Sequence, residues 1–195
     1  MSWKVILLRT LFILTCLVAA LGSCKSKKNS VVSNGSGQKN QGKNPTTKTA
    51  APQKTITHTE WYTVLGVTNE ERKKNKLYHF INDWYGVPYK YGGCQKTGVD
   101  CSCFANILYE EVYEKKISRM SLEIFKAADK ISMDDVKEGD LLFFKISGNT
   151  ISHIGVYLTK NYFIHSSTSK GVMLSSVEEA YYKKFLYCAG RLKSA

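Results

Sequence analysis

The spacing of apolar residues changes at Glu138-Gly139-Asp140, and this change most restricts the folds open to the chain. Before that point the apolar residues recur with a helical period, and after it they alternate as in β-strands. Helices followed by consecutive strands are typical of an α+β domain. We therefore predict N-terminal helices packed on a central antiparallel β-sheet.

Three helices are predicted before the change. Residues Thr68-Asn69-Glu70-Glu71 have the spacing of a capping box, and apolar residues then follow at helical intervals over about 69–85. Asp100 is suited to cap a second helix over about 101–114, and Ser121 is suited to cap a third. A short helix near 177–183 interrupts the strands that follow. The predicted strands are 141–146, 152–158, 162–166, 172–175 and 185–192.

The basic charge of the chain is concentrated at its N-terminal end. The formal net charge is +12, a value that suggests a nucleic-acid binder. Residues 1–59, however, contain nine Lys or Arg and no acidic residue, whereas 60–195 contain 19 basic and 16 acidic residues. The globular part thus carries only +3, and we predict no nucleic-acid partner.

The first 23 residues have the pattern of an export signal. Lys4 and Arg9 precede the apolar run 10–21, which is shorter than the ~20 residues that span a bilayer. The run ends in Leu21-Gly22-Ser23-Cys24, which resembles the bacterial lipoprotein box. We predict a signal peptide over 1–23 and lipidation of Cys24. The alternatives are an ordinary signal peptide with an incidental cysteine, or an uncleaved anchor.

Residues 24–59 are predicted to be a flexible basic tether. They are rich in Lys, Asn, Ser, Thr, Gly and Gln and have few large apolar side chains, so they cannot bury enough surface to offset the entropy of ordering. The lysines could contact phosphate head groups or an acidic wall polymer, or serve only solubility and extension. The globular domain is then 60–195.

Cys101 is a candidate nucleophile. It follows the cap residue Asp100 in the first turn of a predicted helix, where the helix dipole and free backbone N–H groups favour the thiolate. The same N–H groups could stabilise an oxyanion. A nucleophile of this kind needs a partner base.

Two histidines on adjacent predicted strands could supply that base. His153 and Gly155 share one face of the first strand. If the connecting loop is the three residues 159–161, with Asn161 left-handed, His165 lies opposite Gly155 and on the same face as His153. A two-residue loop would place the histidines on opposite faces. In the first case His153 serves as the base and His165 orients it.

The segments GVPYKYGG, GVDCSCF, EGDLLFF, SHIGVYL and FIHSS resemble, in this order, the NlpC-type cell-wall peptidases, over roughly residues 74–192. The resemblance implies a papain-like cysteine hydrolase of NlpC-type fold, with Cys101, His153 and His165 as its catalytic triad. It implies no metal and no cofactor.

The resemblance also implies further site residues. A tyrosine that assists the oxyanion hole corresponds to Tyr89, and Asp100 and Ser102 match positions that contact substrate in relatives. Two positions depart from the family pattern. Cys103 stands where glycine is usual, and Ser118 where proline often precedes the arginine that corresponds to Arg119. These changes bear on packing under the nucleophile helix and on substrate fit.

The resemblance implies hydrolysis of amide bonds in peptidoglycan stem peptides. We further expect a monomer in the bacterial cell envelope, held by its lipid on the periplasmic face of the outer membrane. The bond is either the D,D cross-link or the γ-D-glutamyl–diaminopimelate bond. Relatives that cut the second often carry an SH3-like domain where this chain has the tether, which favours the cross-link. Alternatives are an inactive peptidoglycan-binding lipoprotein and a papain-like acyltransferase or thioesterase.

The remaining cysteines leave two questions open. Cys94, Cys103 and Cys188 could supply a disulfide in an oxidising envelope, and Cys94–Cys103 would bracket the nucleophile, but the sequence does not choose the pair. A zinc site formed by Cys94, Cys101, Cys103 and a histidine is disfavoured, because no C-x₂-C pair is present.

Overall fold

Helices precede the sheet along the chain, as the apolar spacing predicts. The computed structural model describes residues 55–193, so the predicted signal peptide, Cys24 and most of the tether lie outside it. None of the described helices is long and apolar enough to cross a membrane. The α-helices in the described part are α1 (Trp61–Leu65), α2 (Asn69–Lys74), α3 (Lys76–Trp84), α4 (Cys101–Tyr113), α5 (Ser121–Ala127) and α6 (Ala180–Phe185).

The main sheet has six strands, and its pairs are antiparallel. A short separate hairpin, β1 (Cys94–Gln95) and β2 (Gly98–Val99), precedes α4. The order across the main sheet is β3-β8-β4-β5-β6-β7. Its strands are β3 (Ala128–Ile131), β4 (Leu141–Phe144), β5 (His153–Tyr157), β6 (Tyr162–Ser167), β7 (Gly171–Ser176) and β8 (Leu186–Leu192). The predicted α+β class is confirmed.

The first predicted helix is interrupted at Asn75. The capping box is present, with the Thr68 hydroxyl accepting from the Glu71 N–H and the Glu71 carboxylate accepting from the Thr68 N–H. Asn75, however, has an extended backbone, and its side chain accepts a hydrogen bond from the N–H of Leu77 at 2.8 Å. It therefore ends α2 and caps α3, and the single helix predicted over 69–85 is wrong.

The two faces of the sheet pack differently. The face that carries Leu141 and Phe143 packs against α1, α3 and α4 in one large apolar cluster, and we call it the helix-covered face. The opposite face carries a smaller apolar cluster and, on β5 and β6, both histidines; we call it the histidine face. The smaller cluster consists of Leu142, Phe144, Tyr157, Phe163, Val177, Tyr182 and Ala189.

Four residues separate β5 from β6, but Leu158 continues the strand register, with its N–H donating to the carbonyl of Tyr162 at 2.9 Å. The turn itself is therefore the three residues 159–161, as predicted. Asn161 is left-handed (φ 65°), and Lys160 is too (φ 51°). Tyr157 pairs with Phe163, and the same register continued along the strands places His165 opposite Gly155. Both histidines therefore lie on one face of the sheet.

The last residues of the predicted tether lie against the domain. The hydroxyl of Tyr85 donates to the carbonyl of Ile56 at 2.6 Å, and the ammonium of Lys170 donates to the hydroxyl of Thr55. Ile56 also packs against the apolar cluster of the helix-covered face. Contacts with the domain thus begin before Glu60.

Candidate active site

The nucleophile candidate Cys101 begins α4. The Asp100 carboxylate accepts a hydrogen bond from the N–H of Cys103 at 2.7 Å, which confirms the predicted N-cap. The Cys101 side chain is buried, and the residue is 7% exposed. Its thiol is thus held at the N-terminal end of a 13-residue helix.

The start of β5 lies beside this end of the helix. The paired residues of these strands are Val156 with Ile164 and Tyr157 with Phe163, and the pairing does not continue to Ile154. The N–H of Ile154 donates instead to the thiol sulfur of Cys101. Because Ile154 follows His153 directly, the thiol lies beside the start of the strand that carries the base.

The surroundings of Cys101 disfavour the thiolate at rest. Burial raises the pKa of the thiol, and the neighbouring Asp100 carboxylate raises it further; hydrogen bonds from Ser121 and from the N–H groups of Ile154 and Ser102 oppose this shift. The N–H of Ser102 at the helix start thus acts in the predicted direction, but burial is the larger effect and the net shift is upward.

His153 and His165 form a hydrogen-bonded pair. His153 Nε2 lies 2.8 Å from His165 Nδ1, and both rings are buried. Burial lowers the pKa of His153 to about 4, and burial together with the charge on His153 lowers the pKa of His165 well below its ordinary value. At neutral pH the pair is therefore uncharged, and His153 can accept a proton on its other nitrogen, Nδ1.

Two hydroxyl groups that the sequence did not identify meet the far side of His165. Its Nε2 lies 3.1 Å from Ser175 Oγ on β7 and 3.2 Å from the Tyr182 hydroxyl on α6. The alternating pattern of the last strands places a residue near 175 on the histidine face, but no local pattern orients a tyrosine of a short helix towards it.

A cavity of about 450 Å³ opens beside the histidine pair, and Tyr89 forms part of its wall. Burial raises the pKa of Tyr89, and the nearby Cys101 and Asp100 raise it further, so the phenol keeps its proton and can donate a hydrogen bond. The structure therefore places Tyr89 near both Cys101 and the cavity. Its predicted part in an oxyanion hole stays a prediction.

The predicted substrate contacts Asp100 and Ser102 are bonded to each other. Ser102 Oγ donates to Asp100 Oδ1 at 2.8 Å, and both residues are mostly buried. The other carboxylate oxygen lies 4.0 Å from the guanidinium of Arg119. The hydrogen bonds assign both side chains to the cap of α4, and a contact with substrate stays a prediction.

Ser121 does not cap α5 as predicted. The N-cap position belongs to Met120, which makes no side-chain capping bond. Ser121 Oγ lies instead 4.0 Å from Cys101 Sγ. The hydroxyl is therefore part of the surroundings of the nucleophile.

The cysteines that flank the nucleophile are joined. Cys94 and Cys103 form a disulfide with a Cα–Cα distance of 5.5 Å, and Cys101 and Cys188 are the free cysteines of the described part. This bond answers the question that the sequence left open. It also uses two sulfurs of the alternative zinc set, and no group of three or more metal-ligating side chains occurs within residues 55–193.

Comparison with known proteins identifies the relatives of this site. The sequence profile of the NlpC/P60 family matches residues 86–191. The chain is 40% identical over 113 residues to "Probable endopeptidase NlpC" of Escherichia coli K12, a match that covers 57% of this chain and 73% of that protein. It is 37% identical over 111 residues to the "Murein DD-endopeptidase MepS/Murein LD-carboxypeptidase" of the same strain, covering 57% of this chain and 58% of that protein.

A solved structure supports the same relationship. The crystal structure of the NlpC/p60 domain of the peptidoglycan hydrolase SagA superposes with a TM-score of 0.52 at 28% identity. The match covers 60% of this chain and 97% of that domain. The likeness in fold therefore agrees with the family match over residues 86–191.

Proposed function

Because this chain belongs to the NlpC/P60 family, we propose that it is a cysteine peptidase that cleaves peptidoglycan stem peptides. The observation that carries the proposal is the His153–His165 hydrogen bond of 2.8 Å, with the Cys101 thiol beside Ile154, the residue after His153. A nucleophile, a base and an orienting residue in this order are what acyl transfer by a thiol requires.

The proposed reaction starts from an uncharged pair. Cys101 transfers its proton to Nδ1 of His153 as the sulfur attacks the amide carbonyl, and the His153 imidazolium then protonates the leaving amine. Water, deprotonated by His153, attacks the acyl-enzyme and releases Cys101. We propose that Tyr89 and an N–H group at the start of α4 donate to the oxyanion.

We further propose the D,D cross-link between stem peptides as the bond that is cut. The relative named a murein DD-endopeptidase and murein LD-carboxypeptidase supports this choice by the first part of its name. The γ-D-glutamyl–diaminopimelate bond is the competing substrate. Mass spectrometry of the released fragments separates the two, because each cut leaves different termini.

Digestion of purified sacculi tests the activity. The purified chain should release soluble fragments, Cys101→Ala should release none, and Cys188→Ser, which removes the other free cysteine within residues 55–193, should match the unmodified chain. Intact sacculi with all three proteins would overturn the peptidase proposal. In that event thioester hydrolysis assays would test the thioesterase alternative.

Lipid attachment at Cys24 is a separate proposal for envelope localisation, and its support is the Leu21-Gly22-Ser23-Cys24 motif after the apolar run. In cells, Cys24→Ser should move the protein from the membrane fraction to the soluble fraction. Cys16→Ser, within the apolar run, is the matched control and should stay with the membrane. Persistent membrane association of Cys24→Ser would contradict lipidation.

A further inference from the structure

The Nε2 side of His165, which points away from His153, faces two hydroxyl groups. Within residues 55–193, no carboxylate is hydrogen-bonded to it. Its Nε2 lies 3.1 Å from Ser175 Oγ and 3.2 Å from the Tyr182 hydroxyl. All three side chains are buried, with Tyr182 8% exposed and Ser175 fully buried. A buried imidazole N–H needs an acceptor, and these oxygens are the ones placed to provide it.

The proton positions along this chain of groups follow from the proposed function, on which this inference rests. His153 can accept the thiol proton on Nδ1 only if its Nε2 carries a hydrogen, which it then donates to His165 Nδ1. His165 must in turn carry its hydrogen on Nε2. That N–H points to the oxygens of Ser175 and Tyr182, which can accept it.

The phenol of Tyr182 is uncharged and lies among other hydroxyls. Ser175 and Ser167 donate to its oxygen, and burial raises its pKa to about 12. An uncharged phenol oxygen can accept the His165 N–H in the tautomer that the proposed reaction requires. Ser167 also contributes to the cavity wall.

The charged groups near this network act on it unequally. The charge of His153 lowers the pKa of His165. Glu179 and Tyr181 raise the pKa of Tyr182. Asp100 raises the pKa of Cys101. When His153 becomes an imidazolium during the reaction, the far side of the pair is thus stabilised by the hydroxyl dipoles rather than by a neighbouring carboxylate.

The ring and the hydroxyl of Tyr182 can be separated by mutation. The ring packs edge-on against Phe144, Phe163 and His165, with centroid distances of 5.7, 5.0 and 5.2 Å. Phenylalanine would keep these contacts and lose only the oxygen. Tyr182→Phe therefore tests the role of the hydroxyl while the packing of the ring is kept.

We propose that Tyr182, together with Ser175, is a positioning residue that holds His165 in the tautomer protonated on Nε2 and thereby keeps His153 ready to accept the proton of Cys101. Neither residue needs to touch the substrate for this role. The hydroxyls complete a network of Cys101, His153, His165 and an uncharged acceptor pair.

The test uses the purified chain with Cys16→Ser, Cys24→Ser and Cys188→Ser as background, so that alkylation reports on Cys101. Tyr182→Phe should lower kcat about three- to tenfold with KM unchanged, the loss expected for one neutral hydrogen bond. Ser175→Ala should act in the same direction, and the double variant should lose more than either. Tyr187→Phe, on an exposed tyrosine of β8, should behave as the unmodified chain.

A second measurement needs no peptidoglycan. The rate of Cys101 alkylation by iodoacetamide, followed against pH, reports how readily the thiolate–imidazolium pair forms. Loss of the Tyr182 oxygen destabilises the His153 imidazolium. The alkylation rate of Tyr182→Phe should therefore rise at a higher pH than that of the background protein. In a His165→Asn background the same substitution should move nothing further, because its effect passes through His165.

The outcomes separate the two proposals. A shifted alkylation profile supports the positioning role even if sacculi stay intact, a result that would count against the proposed function alone. An unshifted profile overturns the positioning role, whether kcat is normal or is lowered together with thermal stability. The positioning role is also overturned if Tyr182→Phe shifts the alkylation profile as far in the His165→Asn background as it does with His165 present.

Discussion

The two faces of the sheet serve different purposes. The helix-covered face is packed with apolar side chains from α1, α3 and α4, and its largest members are fully buried. The histidine face has a small apolar cluster, a cavity of about 450 Å³ and a buried polar network. Most of the apolar packing thus lies on one face and both histidines lie on the other, while Cys101 belongs to the first cluster. Substitutions away from Cys101 on the two faces should therefore separate stability from chemistry.

Substitution of His153 should have the largest effect. His153→Ala removes the base, and we expect turnover of sacculi to fall by about 10³-fold or more. Stability should change by only about 1–3 kcal/mol, the cost of leaving His165 Nδ1 unpaired. Turnover and urea unfolding measured on the same preparation check this. A variant that unfolds rather than loses activity would break the division between the faces.

A core substitution on the other face should give the opposite result. Leu108 is fully buried on α4, two turns from Cys101, and Leu108→Ala should lower the free energy of unfolding by about 2–5 kcal/mol. Turnover at a temperature where the variant is folded should stay within about twofold. A loss of turnover as large as that of His153→Ala would show that the helix-covered face also controls the chemistry.

The pH dependence of stability should come from the histidine face. A histidine has a pKa of about 6.5 when unfolded, and burial lowers that of His153 to about 4 in the folded protein. Between these values the unfolded chain binds more protons. The free energy of unfolding should therefore fall as the pH drops from about 6.5 to about 4, by about 3 kcal/mol for His153.

Burial of His165 acts in the same direction and adds to this loss. Urea unfolding at a series of pH values measures the slope, and His153→Ala, which lacks the titrating ring, should show a smaller one. Equal slopes for the two proteins would contradict the assignment to His153.

The smallest effect is expected for a substitution of Gly155, on the histidine face. A Cβ on Gly155 would lie 2.4 Å from Cδ2 of Phe163, whose ring contacts His165. Gly155→Ala should cost about 1–3 kcal/mol and lower turnover several-fold by displacing that ring. Phe163→Leu added to Gly155→Ala should recover part of the turnover. No recovery would mean that the glycine is needed for another reason.

Several features of this site could be predicted from the sequence because they depend on local patterns. The N-cap of α4 follows from Asp100 and the helical spacing after it. The common face of His153 and His165 follows from one loop length, since side chains alternate along a strand. The break at Asn75 was missed because Asn can cap a helix as well as occupy one, and local spacing did not distinguish the two.

The sequence by itself determined the α+β class, the separation of a basic N-terminal segment from a nearly neutral domain, and the candidates for the catalytic residues. Only the tertiary structure decided the Cys94–Cys103 pairing, the burial that raises the pKa of Cys101, and the contacts of His165 with Ser175 and Tyr182. The first group depends on neighbours along the chain. The second depends on burial and on distances between residues far apart in sequence, which exist only once the sheet and helices have packed.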